Sequence, residues 1–138
     1  MASSDDCLIR SYNNWQVYLH PNQGYLGRSI VWCNRADSLD FADATKAEQE
    51  ELFIVLRDLK RALIELFKPD VFNYAFLGNE IRHLHGHVVP RYKEPRVLLD
   101  QVFEDRLFGR NFQTDHNFKI SFDLFSKIKI MVQQALMV

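Results

Sequence analysis

The sequence predicts an α+β fold: an antiparallel β-sheet with one long helix packed on it and a second helix at the C-terminal end. Three observations lead there. Short β-prone segments are joined by turn signals instead of by crossover helices. Leu52, Leu56, Leu59, Leu63 and Leu66 recur at helical spacing and form one apolar stripe. A second amphipathic run closes the chain, so strands and helices are segregated along the sequence.

Residues 15–20, Trp-Gln-Val-Tyr-Leu-His, are β-prone and end at Pro21, which with Asn22-Gln23-Gly24 gives a turn. Residues 28–33 supply a second strand, paired antiparallel with the first. Thr45 and Glu48 have the spacing of a capping box: the Thr45 hydroxyl accepts from the Glu48 amide, and the Glu48 carboxylate reaches back to the cap amide. The leucine stripe follows and reads as a core face. Pro69 stops that helix. Residues 71–77 read as a third strand and Gly78-Asn79 as a turn. A fourth strand is expected over residues 81–89, ending at Pro90. Beyond Tyr92 the pattern is irregular to about Phe112. Ser121 then caps a helix with Leu124, Phe125, Ile128, Met131, Val132 and Leu136 as its apolar positions.

The chain has 138 residues, the length of one domain, and 47% of them are hydrophobic, enough for a core. No repeat, low-complexity stretch or linker divides it. Lys and Arg number 17 against 18 Asp and Glu, a balance that speaks against bulk nucleic-acid binding and leaves room for a small anionic ligand. Cys7 and Cys33 form no Cys-x-x-Cys pair and read as free thiols of a cytoplasmic protein. The polar start, Met1-Ala2-Ser3-Ser4-Asp5-Asp6, lacks the features of a signal peptide, and no apolar run reaches the ~20 residues of a membrane span.

Three of the five histidines fall within five residues, as His83-Leu84-His85-Gly86-His87. In a regular strand all three face one side, with Leu84 and Val88 left for the core. Structural histidines are one reading. A metal site is a second, since His-x-His can chelate zinc. Against it, a strand holds His83 and His87 roughly 13 Å apart, and no obvious ligand set lies nearby. The third is phosphate chemistry. An imidazole with an ordinary pKa near 6.5 is a nucleophile at neutral pH, and its neighbours, if protonated, donate to phosphate oxygens.

The stretch Asn73-Tyr74-Ala75-Phe76-Leu77-Gly78-Asn79-Glu80-Ile81-Arg82-His83-Leu84-His85-Gly86-His87-Val88-Val89-Pro90-Arg91-Tyr92 resembles the signature of the histidine triad (HIT) family, His-φ-His-φ-His-φ-φ with φ apolar. Its flanks are similar to a bacterial-type branch. The resemblance covers roughly residues 15–112. It implies a HIT-like fold, usually a homodimer, and a nucleotide hydrolase or transferase with no metal or other cofactor at the nucleophile. Dinucleoside polyphosphates, nucleoside phosphoramidates and aminoacyl-adenylates are typical substrates. The resemblance assigns the nucleophile to His85, oriented through its other ring nitrogen by a main-chain carbonyl. It assigns a phosphate contact to His87, a supporting role to His83, and substrate contacts near the phosphate to Asn73 and Asn79.

Several positions depart from the family pattern. Gly86 stands where an apolar residue is usual, leaving either room for a ligand or partner, or simple tolerance. Arg28 stands where many members carry a further histidine; it reads as a bidentate phosphate donor or as a solvated strand residue. His20 takes the place of an acidic or amide residue that contacts the ribose. Glu80 replaces a hydroxyl of some branches, and a carboxylate there repels phosphate unless protonated or turned away. Arg91 reads equally as a phosphate contact or an ion-pair partner, and Trp15 and Trp32 as core. A nucleotide-binding module with little turnover is the competing reading of the whole.

Overall fold

The computed structural model describes residues 5–137. Most of the polar start from which the absence of a signal peptide was read lies outside them. Five strands form one antiparallel sheet: β1 (Leu8–Ser11), β2 (Trp15–Leu19), β3 (Ser29–Cys33), β4 (Val71–Ala75) and β5 (His85–Arg91), in the order β1-β2-β3-β5-β4. The long helix α1 (Lys46–Phe67) follows β3. Two short strands, β6 (Arg96–Leu98) and β7 (Gln101–Phe103), make a separate hairpin, and α2 (Phe122–Leu136) ends the described chain. Among the described residues no helix is long and apolar enough to cross a membrane.

Each sheet face has a different occupant. Trp15, Val17 and Leu19 of β2, Val31 and Cys33 of β3, and Val88 of β5 alternate onto the helix-covered face. There they meet Leu52, Val55, Leu59, Leu63 and Phe67 of α1 and Ile128 and Val132 of α2. The expected leucine stripe is thus largely core, with Leu56 and Leu66 at its edge. The capping box forms as read, with Thr45 Oγ1 accepting from the Glu48 amide (3.2 Å) and Glu48 Oε1 from the Thr45 amide (2.9 Å). At the other end Lys68 turns left-handed (φ 52) ahead of Pro69. Ser121 caps α2 by accepting from the Leu124 amide (3.1 Å).

Register places the polar residues on the opposite face. Trp32 pairs with His85 and Ile30 with His87 across β3 and β5, while Ala75 pairs with His87 and Val71 with Arg91 across β4 and β5. Residues 104–118, with no regular structure, strap across this face. A buried ion pair anchors the strap: Arg91 Nε and Nη2 donate to the Asp105 carboxylate at 2.7 and 3.1 Å. Arg91 Nη1 also donates to the Arg110 carbonyl (2.7 Å).

Three expectations need correction. The fourth strand begins at His85, not at Ile81. Residues 81–84 instead bond to themselves, to the end of β3 and to the segment after it, with the His83 amide donating to Ile81 O, the Cys33 amide to Leu84 O and the Leu84 amide to Ser38 O. His83 therefore lies outside the ladder. The stretch after Tyr92 is less irregular than expected, because Leu99 (φ 48) and Asp100 (φ 67) close the β6–β7 hairpin in left-handed conformations. A further strand, β1, precedes the first one read from sequence.

Candidate active site

His85 is fixed by its own backbone neighbourhood. Its Nδ1 donates to the His83 carbonyl at 2.6 Å. A carbonyl oxygen only accepts, so Nδ1 carries the hydrogen and Nε2 of the neutral ring keeps its lone pair. His83 is held in turn: its Nε2 donates to Cys33 O (2.6 Å), and its ring stacks on Trp32 at 4.2 Å between centroids. Trp32 also lies 5.4 Å from the His85 ring, so it belongs to this face and not to the core, where Trp15 alone is found.

His87 follows on the same face, its ring 5.5 Å from that of His85. Its Nδ1 accepts from Arg28 Nη2 at 3.3 Å. Burial first, and then the Arg28 and His85 charges, pull its pKa down to about 4. His20, with its ring 5.8 Å from that of His87, is pulled down to about 3 by burial and by Arg28 and His87. Its Nδ1 accepts from the Asn22 amide (2.9 Å). These two rings are therefore neutral at pH 7. The expectation of protonated histidine neighbours is corrected: the positive charge resides on Arg28.

Arg28 is held by its surroundings and is no solvated residue, being only 4% exposed. Gly27 before it takes a left-handed φ of 88, and a Cβ there would sit 2.9 Å from Leu63 Cδ2. The Arg28 guanidinium donates to Thr114 Oγ1 (2.8 Å) and lies over the Phe112 ring (5.2 Å). Burial lowers its pKa to about 10, still fully charged at neutral pH.

A cavity of about 480 Å³ gathers His20, Arg28, Asn79, Glu80, His85 and His87 with Thr114 and His116 of the strap. Two expected residues are absent from its lining. His83 sits behind His85 against Trp32. Asn73 lines a neighbouring groove of about 910 Å³ and accepts from Arg91 Nη1 (2.8 Å), so its amide oxygen is already committed. That groove is larger but contains no histidine, and the chemistry points to the smaller one. Arg91 is an ion-pair partner, buried against Asp105. Gly86 leaves no room for a ligand, because the Phe76 ring occupies the space where its side chain would be. Thr114 and His116 were missed as lining residues, since nothing in the sequence ties the strap to the triad. Among the described residues, no group of three His, Cys, Asp or Glu side chains could hold a metal ion.

The HIT domain family model matches residues 30–94. A bis(5'-adenosyl)-triphosphatase of Saccharomyces cerevisiae is 31% identical over 72 residues, 49% of this chain and 35% of that protein. The chain thus spans about a third of the length of the curated relatives it matches. A histidine triad protein of Bradyrhizobium japonicum superposes with a TM-score of 0.72 at 19% identity, covering 94% of this chain and 89% of its own. A histidine triad protein of Sinorhizobium meliloti gives 0.74 at 17% identity, covering 93% and 87%. The chain has the histidine triad fold.

Proposed function

We propose that this protein is a nucleotide hydrolase or transferase that attacks the α-phosphate of a dinucleoside polyphosphate or nucleoside phosphoramidate with His85. One observation carries the reading: the bond from His85 Nδ1 to the His83 carbonyl leaves Nε2 as the lone-pair atom of a ring facing a cavity lined by nitrogen donors. The yeast triphosphatase supports it as a distant relative.

In the first step the Nε2 lone pair forms a bond to the α-phosphorus. The bond from phosphorus to the leaving oxygen or nitrogen breaks and takes its electron pair to the leaving group. His85 becomes a nucleotidyl-imidazolium that keeps its Nδ1 hydrogen, and the His83 carbonyl stabilises the new positive charge. Arg28, the Nε2–H of His87 and the Asn79 amide are donors for the substrate's phosphate oxygens. In the second step water attacks phosphorus, the P–N bond breaks, its electron pair returns to Nε2, and the water's proton is released. We further propose a cytoplasmic homodimer, on the strength of the family resemblance for the dimer; light scattering of the purified chain tests it.

Glu80 favours a second reading, a nucleotide-binding module with little turnover, because it places a carboxylate at the cavity wall. The test is nucleoside monophosphate release from diadenosine polyphosphates, an adenosine phosphoramidate and their guanosine counterparts. Wild type is expected to release product, and His85→Asn to lose about 100-fold or more. Equal rates in both overturn the mechanism. Binding without release by wild type selects the module.

A further inference from the structure

Arg28 and Arg91 project from the same sheet face and are almost equally buried, at 4% and 2% exposure. Their surroundings differ. Arg91 has a bidentate carboxylate, the Asn73 oxygen and a carbonyl. Arg28 has a hydroxyl and one imidazole nitrogen, and its buried Nε–H has no partner among the described residues. Among the described residues no carboxylate lies within ion-pair distance of Arg28. Burying a cation without a counter-charge is costly, so an anion drawn from outside has a strong claim on it.

The two histidines beside it can only donate towards a ligand. Arg28 has no acceptor to offer, so His87 Nδ1 is the accepting nitrogen and Nε2 of the neutral ring carries the hydrogen. His20 Nδ1 accepts from the Asn22 amide, which leaves its Nε2 as an N–H as well. The Asn22 side chain offers nothing to offset this. Its Oδ1 accepts from the Gly24 amide (2.8 Å) and its Nδ2 donates to Asp115 O (2.8 Å). At this end the cavity presents N–H groups around one guanidinium, next to the ring of His85.

We propose that His20, Arg28 and His87 form a donor-only seat for a second, non-reacting phosphate of the substrate, so that this chain selects ligands containing a P–O–P linkage over those with a single phosphoryl group. The inference rests on the proposed function for the identity of the reacting phosphate, and it narrows the substrate class to phosphoanhydrides.

Calorimetric titration of the full-length His85→Asn variant with inorganic diphosphate and with orthophosphate tests the seat without turnover. Diphosphate is expected to bind about tenfold or more tightly than orthophosphate, the worth of one or two added charge-assisted hydrogen bonds. Adding Arg28→Met should abolish that preference while leaving the unliganded protein at least as heat-stable, because the substitution removes a buried cation that nothing balances. Adding His20→Leu instead should narrow the preference, which keeps the test open if the Arg28 variant does not fold. Equal affinities for the two anions, or a preference that survives both variants, overturn the seat. Its failure is separable from that of the hydrolase reading: a wild type that forms the His85 adduct while its His85→Asn variant binds the two anions equally keeps the chemistry and removes the seat, whereas a wild type that binds diphosphate selectively but releases no nucleotide keeps the seat and removes the chemistry.

Discussion

Gly86 lies in β5 between His85 and His87, opposite Val31, with its α-hydrogens towards Phe76. A methyl group added there falls on the Phe76 ring, 2.7 Å from Cδ2 and nearer still to Cε2 and Cζ. No ring carbon can stay at that distance, and Phe76 is itself stacked on Phe41 at 4.6 Å between centroids. Either the ring leaves its place or β5 moves. Overpacking of this kind costs about 1–3 kcal/mol. With a slope of about 2 kcal/mol/M, urea unfolding of Gly86→Ala should shift its midpoint down by about 0.5–1.5 M. Any movement of β5 displaces His85 and His87 together, and misplacement by about 1 Å costs about 100-fold in rate. The double variant Gly86→Ala, Phe76→Ala removes the clash, so its stability loss should be smaller than the sum of the two single losses. A Gly86→Ala protein within about 0.5 kcal/mol of wild type, with additive behaviour in the double variant, refutes the packing account. Unchanged stability with lost ligand binding returns that space to a ligand.

Other consequences are open to equally direct tests. Asp105→Asn leaves the Arg91 guanidinium buried without its carboxylate and should cost about 3–5 kcal/mol in chemical denaturation, with proteolysis of the 104–118 strap increased. Acid should weaken the fold through His20 and His87. Their native pKa values, about 3 and about 4, lie below the ordinary 6.5, so the unfolded chain binds more protons, and stability falls as pH drops from about 6.5, with the His87 contribution ending near 4 and that of His20 near 3. Because Arg28 contributes to both depressions, Arg28→Met should shallow that slope in urea midpoints measured across this range. Gly27→Ala combines a left-handed φ with a contact on Leu63 and should destabilise by about 1 kcal/mol or more, with Arg28-dependent anion binding weakened alongside.

Residues with local signatures were legible in the sequence; residues placed by tertiary contacts were not. The Thr45–Glu48 capping box, the Ser121 cap and the leucine stripe each depend on spacing within a turn or two of helix. His85 and His87 could be paired because strand alternation is a property of the backbone. His83 broke the pattern because Ser38, far off in sequence, takes the Leu84 amide and ends the ladder. The β6–β7 turn was invisible because Leu99 and Asp100 fill positions that Asn-Gly or Gly-Gly would announce. The room at Gly86 depends on Phe76, and the state of His87 on a guanidinium 59 residues away. Asn73 was assigned to the substrate by resemblance, but Arg91 holds its oxygen. Thr114 and His116 reach the cavity through contacts remote in sequence, the Arg91–Asp105 pair and the bonds of Arg28 to Thr114 and of Asn22 to Asp115, which hold the strap across the sheet.

The central claim is that His85 Nε2 takes the nucleotide covalently. Wild-type protein mixed with excess diadenosine triphosphate and quenched within the first turnover in base, where phosphohistidine survives, can be digested and sequenced by mass spectrometry. A peptide carrying one adenylyl group on His85, missing from the His85→Asn protein, is the predicted result. Adenylate release at the wild-type rate by His85→Asn, or an adduct on His83 or His87 instead, contradicts it.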